Sequence, residues 1–449
     1  MSRYKRYERY KDSGVEWIGE IPEHWELRKI KHIGMLSAGG VNKKVEEGEE
    51  LFKSVHYMDV YRNSGKAIGN DDDYLVVSAT QSQAKNCTLR KGDVLFTSSS
   101  ETPDDIGHAV TISEDLEQTL YGYHLIRLRL DRDIPADYSY RKYMFNNYFI
   151  RSYFSSRAQG ITRYGLKYDD YKEAVVFIPP INEQNIIANF LDQKTAEIDG
   201  LIADKEKLIE LLQEKRQAII TEAVTKGLNQ NVKMKDSGIE WIGEIPEHWE
   251  VKRIKYLATV NPNKSEVRHL PSEQEVTFIP MEKIIATGKV DYSLTNTIEN
   301  LINGYTYFRD GDIIMAKVTP CFENGNIAIV NGLLNGIGFG TTELHVLRCN
   351  NKCYNRFLFY YLQSDIFKSK GISEMYGVAG LKRIPTDFIL NYKLGIPDYQ
   401  EQEQIALYLD NITGKIDTLI SDIQTQIDKL REYRQSIISE AATGKIKVL

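Results

Sequence analysis

Signatures of catalysis are missing from this chain. Its 449 residues contain no GxxxxGK[ST] phosphate loop, no strand-following GxGxxG, no HExxH and no CxxC pair. The Asn-Pro-Pro-aromatic signature of amino-methyltransferases is absent too, since Asn261-Pro262-Asn263 does not match it. Cysteine is scarce. Four residues (Cys87, Cys321, Cys349, Cys353) make no disulfide framework and fit a reducing compartment. His345, Cys349 and Cys353 would align on a helix, but the first half has no counterpart and a strand-to-loop passage is expected there, so no metal site is assigned. No apolar run approaches the 18 or so residues of a membrane span, and the opening MSRYKRYERYK has no signal-peptide core. The expectation is a cytoplasmic protein with no membrane partner.

A large excess of charge of either sign is lacking as well. The net charge is −6, which by itself argues against a nucleic-acid partner. The excess is local, however: segments 181–228 and 399–446 carry 17 acidic and 11 basic residues, and the remainder balances. Stretches 141–172 and 352–393 are basic, with seven Lys or Arg each.

What is present is a doubled unit. KDSGVEWIGEIPEHWELRKIKHI (11–33) returns as KDSGIEWIGEIPEHWEVKRIKYL (235–257), with 17 of 23 positions identical and all four tryptophans inside it. A second pair, 178–228 and 396–446, aligns without a gap. Apolar residues there recur at Ile187, Leu191, Ile198, Leu201, Leu208, Leu212, Ile219 and Ala223. The second copy has Ile405, Leu409, Ile416, Leu419, Ile423, Ile427, Leu430, Ile437 and Ala441. This is helical spacing held for some forty residues, with Pro179 and Pro397 just before each start. Each helix should be about 60 Å long. Such a narrow seam predicts that the helices pair with each other, antiparallel, through Ile187, Leu191, Ile198, Leu212, Ile405, Leu409, Ile416 and Leu430; packing of each helix on its own head is the alternative.

The heads are drifted copies. Leu89–Phe96 answers Phe308–Met315, and Arg129 answers Arg348. Short β-rich runs separated by Gly, Asn and Asp read as strands, while 137–156 and 353–370 read as helices. The fold expected is α+β: two similar heads of mostly antiparallel sheet plus helices, on two long helices forming an antiparallel coiled coil, in a circular pseudo-twofold arrangement that brings the termini together. The boundaries read 1–180, 181–228, 229–397 and 398–449. The 23-residue repeat is expected to pin each head to the helix end of the preceding copy.

For the heads, DNA binding fits best. In 141–172, Arg151, Arg157, Arg163 and Lys167 interleave with tyrosines, and the second head offers Lys382 and Arg383. Cations neutralise phosphates while loop side chains reach base edges. The candidate DNA contacts are Ser98, Ser99 and Ser100; Arg157, Thr162, Arg163, Tyr164 and Lys167; Lys317, Asn324 and Asn326; and Lys382 and Arg383. They fall in loops 98–105, 160–167, 317–326 and 377–383.

Head, helix, head, helix, with EIPEHW before each head and an IP-x-x-x-EQ-x-x-I helix opening (Ile178, Pro179, Glu183, Gln184, Ile187; Ile396, Pro397, Glu401, Gln402, Ile405), resembles the specificity subunit of type I restriction–modification systems. That resemblance implies a non-catalytic chain whose two target recognition domains each read one half of a bipartite, asymmetric site on double-stranded DNA. It implies that the helices space the heads and dock two methyltransferase (modification) subunits, with restriction subunits joining through them. S-adenosylmethionine, ATP and Mg would belong to those partners, with no cofactor in this chain. A subunit serving a fused nuclease–methyltransferase, or a coiled-coil adaptor with protein- or glycan-binding heads, are the other readings. Arg163-Tyr164 is extra in the first glycine-flanked loop, so contacts do not transfer residue by residue between heads.

Overall fold

The computed structural model describes residues 4–448 except 64, 71–72, 286–287 and 379. The chain divides into two units: Met1–Asp204 with Thr425–Leu449, and Lys205–Gln424. Both divisions fall inside long helices, Ile181–Lys226 and Tyr399–Ala442. None of the described helices is long and apolar enough to cross a membrane.

In the first unit a five-stranded sheet runs in the order Gly34–Ser37, Leu125–Leu130, Val94–Thr97, Ala109–Ile112, Ala67–Ile68. All neighbours are antiparallel except the last pair. A second sheet joins Thr119–Tyr121, Glu50–Val55 and Leu75–Ala79. Helices Tyr138–Met144 and Tyr148–Arg157 close one side, where Phe96, Phe145, Phe154 and Tyr171 pack. The second unit repeats the plan with sheets ordered Ala258–Val260, Leu344–Cys349, Ile313–Ala316, Ile327–Ile329 and Thr295–Thr297, Glu275–Ile279, Ile337–Gly340, Thr306–Arg309. Its helices are Asn355–Gln363 and Asp365–Ser373. The heads are thus mostly antiparallel, with parallel pairs where a crossover returns the chain to the same sheet edge. His345 lies on a buried strand, so it does not share a helix face with Cys349 and Cys353.

The Arg-x-Gly-Asp echo has a structural cause. Arg129 grips the nearly inaccessible Asp93 at 2.8 and 2.6 Å, and Arg348 grips Asp312 at 2.8 and 2.7 Å. The arginine extends from the strand beside the aspartate's own, so one pair staples the central strands of each unit.

The repeated 23 residues form a joint with both long helices. Antiparallel strands Tyr10–Asp12 and Glu20–Pro22 carry Trp25, which is fully buried. The indole Nε1–H donates to Glu183 in the opening turn of the first long helix at 3.0 Å, and His24 Nε2 lies 2.6 Å from the same carboxylate. Tyr7 adds a third donor at 3.1 Å. The next residue, Gln184, donates to Pro135 and Pro179 carbonyls and accepts from Asp137 N–H. On its other side Trp25 meets the end of the second long helix: a Cβ on Gly444 would lie 2.5 Å from Pro22 and 3.2 Å from Trp25. Gly444 holds φ +71°, a left-handed helix stop open to glycine. Lys5 pairs with Lys447, so the two described ends of the chain meet here. The second unit builds the joint again, with Trp249 and His248 on Glu401 at 3.2 and 2.8 Å and Gly227 beside Trp249.

The helices pack in both of the ways open to them. Ile187 and Leu191 join one core with their head and with Ile437 and Ala441 of the other helix; Ile405 and Leu409 do so with Ile220 and Ala223. Farther along, the inaccessible or half-buried positions on the first helix are Ile198, Ile202, Lys205, Ile209, Leu212 and Arg216. Those on the second are Ile416, Ile420, Ile423, Ile427, Leu430 and Arg434. The alternation of fours and threes is a heptad seam. Leu201, Leu208 and Leu419, placed on the seam by sequence, are instead 50%, 43% and 46% exposed, because a 3.5-residue period turns them to the outer face. An ion pair crosses between the antiparallel helices in each unit, Arg434 with Asp199 at 2.8 and 3.1 Å and Arg216 with Asp417 at 3.0 Å.

Candidate nucleic-acid interface

Strand pairing brings together loops distant in sequence. In the first unit Val94–Thr97 runs on into Ser99–Ser100, which pairs with Tyr164–Gly165; that strand pairs in turn with Gln159–Gly160. Leu166 N–H closes the cluster on Ser98 O at 3.0 Å. Gly160 sits at φ +155°, where a Cβ would lie 1.9 Å from Arg163 O, so only glycine permits the hairpin. At the tip Ile161 is 94% exposed, and Thr162 and Arg163 are exposed beside it. No carboxylate pairs with Arg163 among the described residues. Arg157 projects nearby over the Tyr153 ring at 5.5 Å. Lys167 is exposed, and Tyr164 is half-buried against the core.

Ser99 and Ser100 are buried at 8% and 5%, so they support the hairpin from behind rather than present side chains outward. Ser98 is partly exposed and spends its hydroxyl on His124 O at 2.9 Å.

The second unit assembles the equivalent cluster by other bonds. Strand Ile313–Ala316 leads into Lys317, whose carbonyl accepts from Ile384 N–H at 2.8 Å. Thr319 N–H donates to Lys382 O at 3.0 Å, and the Thr319 hydroxyl donates to Gly380 O at 2.6 Å while accepting from Lys382 N–H. In the hairpin Tyr376–Val378 with Leu381–Arg383, Gly377 pairs with Lys382 at φ +151°; Ala379 lies outside the described residues. Tyr376 and Leu381 are 67% and 54% exposed, and Lys382 is exposed between them. Arg383 is engaged differently from Arg163: it forks onto Glu343 at 2.8 and 2.9 Å, and that pairing holds the Glu343 carboxyl below its usual range. Asn324 is exposed, whereas Asn326 donates its amide to Ile284 O at 3.0 Å. Lys317 is half-buried. One hairpin therefore offers a free guanidinium and an isoleucine, the other a tyrosine, a leucine and an ammonium.

Sequence reasoning missed a cluster behind the first hairpin. Tyr57 stacks on Tyr61 with ring centres 5.5 Å apart, and Tyr61 donates to Asp105 at 2.5 Å. His108 Nε2 approaches Asp105 at 2.7 Å, with Lys66 and Arg151 beyond. Burial, then the charge of Arg151, pushes the His108 pKa down to about 4. No motif marks these residues, because parallel pairing of Ala67–Ile68 with Thr111–Ile112 is what assembles them.

Comparison with known proteins gives the family. The type I restriction modification DNA specificity domain matches residues 22–211 and again 246–429, one match per repeat. The chain is 40% identical over 199 residues to the type I restriction enzyme EcoAI specificity subunit of Escherichia coli, covering 43% of this chain and 33% of that one. The EcoEI subunit is matched over the same 33% of its length, so the alignments span about a third of these two relatives. Over the whole length, the putative MjaX specificity subunit of Methanocaldococcus jannaschii is 27% identical, with 96% of both chains covered. Among solved structures, a chain from a study of complex assembly and conformational transition in a type I R-M system aligns over 95% of this chain at TM-score 0.71 and 15% identity. The HsdS subunit of Thermoanaerobacter tengcongensis aligns over 95% at TM-score 0.52 and 14% identity, a likeness of fold. With both repeats matched by one family model, the chain belongs to the type I restriction–modification DNA specificity family.

Proposed function

We propose that this chain is the non-catalytic DNA-reading subunit of a type I restriction–modification complex, with each unit's hairpin cluster reading one half of a bipartite duplex site. The observation that carries this is the contrast between a frame kept almost unchanged and loop clusters that differ. A frame used twice with different tips suits a split, asymmetric target, since phosphate contacts position a protein while base contacts specify its site. Arg163, Thr162, Arg157 and Lys167 are the reading residues of the first unit; Lys382, Lys317 and Asn324, with Tyr376, are those of the second. The domain boundaries 1–180, 181–228, 229–397 and 398–449 describe these heads and spacers.

Two methyltransferase subunits dock along the long helices, whose outward Leu201, Leu208, Leu211 and Leu419 are apolar surface unused by the seam. Restriction subunits join through them, S-adenosylmethionine, ATP and Mg are held by those partners, and the complex works in the cytoplasm. The test is genome-wide mapping of methylated bases in host cells carrying the wild-type gene, no copy, or a gene with segment 157–167 replaced. Replacement should change one half of the methylated motif and leave the other half intact. A motif unchanged by the replacement, or methylation unaffected by loss of the gene, refutes the assignment.

A further inference from the structure

Another arrangement recurs in both units, outside the reading loops. In the first unit a cleft of about 790 Å³ opens beside helix Tyr148–Arg157 and the early turns of the first long helix, with Lys66, Arg151 and Arg434 on its walls. In the second unit two adjoining clefts of about 220 and 460 Å³ share Arg216, and Lys289 and Lys368 line the larger. The three cations correspond. Arg434 and Arg216 each hold the aspartate of the facing helix, Asp199 and Asp417. Arg151 and Lys368 each follow the buried anchor of the second head helix, Ile150 and Phe367. Lys66 and Lys289 each follow a glycine and precede a strand-paired residue, Ala67 and Val290.

Arg434 and Arg216 are each paired with one aspartate, and the other two cations of each cleft are short of counter-charge, with Asp104 also on the wall of the first cleft. In the first unit Asp199 is committed to Arg434, Asp192 to Lys142 at 2.6 Å, and Asp105 to Tyr61 and His108, leaving Arg151 at 3.6 Å from it. Arg151 Nη1 is buried with no hydrogen-bond partner. Lys66 Nζ has no carboxylate partner among the described residues; its neighbour is His108 Nδ1 at 3.5 Å. Burial, then the Arg151 and Arg434 charges, pushes its ammonium down to about 8. Lys289 and Lys368 also have no carboxylate partner among the described residues. Guanidinium and ammonium groups converging on an open cleft suit a tetrahedral oxyanion, whose charge an arginine fork and a lysine share.

The geometry points to a phosphate site in each unit, formed by Lys66, Arg151 and Arg434 in the first and by Lys289, Lys368 and Arg216 in the second. Repetition indicates the source. The reading loops changed between copies while the cations stayed, so the ligand is the same at both units, and backbone phosphate is the part of a duplex that does not vary with sequence. The Tyr57–Tyr61–Asp105 chain joins the first cleft to the hairpin, since the Arg163 charge reaches Tyr57 and Tyr61 bonds Asp105. Assignment of the phosphate to DNA rests on the proposed recognition of a duplex site.

The experiment uses the full chain assembled with its partner subunits. Lys66→Gln with Arg151→Gln, and Lys289→Gln with Lys368→Gln, are compared with wild type for affinity to cognate and unrelated duplexes across a salt series. Each double variant should weaken both duplexes by the same factor, lower the slope of log affinity against log salt by roughly 0.9 for each phosphate no longer neutralised, and leave the methylated sequence unchanged. Lys66→Gln alone, at a half-buried position, keeps the test open should Arg151→Gln unfold. Wild type that prefers cognate duplex, with variants of unaltered slope, overturns the cleft assignment alone; a wild type with no preference overturns the recognition reading. Inorganic phosphate that stabilises wild type but not the variants against heat, with DNA slopes unaltered, makes the ligand a free phosphate and overturns the DNA source.

Discussion

Glu183→Ala is the substitution for which the structure gives the fullest forecast. The carboxylate receives Trp25 Nε1–H, Tyr7 O–H and His24 within 3.1 Å, and its side chain is 15% exposed. Trp25 is fully buried and Tyr7 is 8% exposed, so neither donor can turn to water. A buried donor left unpaired costs about 1–3 kcal/mol, and bonds to a charged acceptor stand at the upper end of that range. Two such donors, with the exposed His24 discounted, give a loss of about 2–6 kcal/mol. The second unit supplies an internal control. Glu401 receives one buried donor, Trp249, and the half-exposed His248, and it lies 25% exposed with no counterpart of Tyr7. Glu401→Ala should therefore cost about 1–3 kcal/mol by the same reasoning. Urea unfolding of both variants, followed by the fluorescence of the four tryptophans, measures the two losses. A Glu401→Ala loss equal to or larger than that of Glu183→Ala refutes the assignment of the joint's strength to these donors.

Gly160→Ala should abolish reading of one half-site while the other half of the methylated motif persists, because the Cβ would collide with Arg163 O; methylation mapping decides it. Asp312→Asn should destabilise the second unit by about 1–3 kcal/mol in urea titrations, since Arg348 loses its inaccessible partner while keeping the more exposed Glu266. Acid should weaken the fold through His108 and His345, both pushed down to about 4 by burial. Their folded pKa lies below the unfolded value of roughly 6.5, so the unfolded chain binds more protons between the two. Their contribution is intact above about pH 6.5 and fades as pH falls, by on the order of 2 kcal/mol per histidine between pH 7 and 5. His345→Gln should remove its share of that slope in urea midpoints taken at the two pH values. Inserting one heptad in 200–215, with a matching heptad opposite, should lengthen the unread gap in the methylated motif, and an unchanged gap would refute the spacer's role as a ruler.

Much of this architecture is legible in the sequence because doubling makes it so. The helices begin where Pro179 and Pro397 place them, and the heads' strands follow their β-rich runs. The seam is harder to read. Leu201, Leu208 and Leu419 satisfy helical spacing, but the structure half-buries Ile202, Ile209 and Ile420 in their stead. A 3.6-residue count cannot separate these rows until supercoiling selects one. At the interface, the glycines of both hairpins are visible as turn formers. Ser99 and Ser100 are not recognisable as buried, since a serine pair at a strand end reads the same whether it faces solvent or a neighbouring hairpin. The Lys66, His108 and Arg151 cluster gives no local signal at all, being assembled by strand pairing across 40 residues and more.

The ion pairs in the helical seam act as dowels. Isoleucines repeating every seven residues would pack nearly as well if one helix slid past the other by a heptad, about 10 Å of travel. Such a slip would draw Arg434 off Asp199 in one unit, or Arg216 off Asp417 in the other, and leave a half-buried cation facing hydrocarbon. The apolar seam supplies adhesion without a preferred position, and the arginines, together with the tryptophan joints at the helix ends, supply the position. Exchanging Arg434 or Arg216 for leucine would strengthen the grip while removing the stop, so a protein made tighter in this way would hold its two helices less well in register.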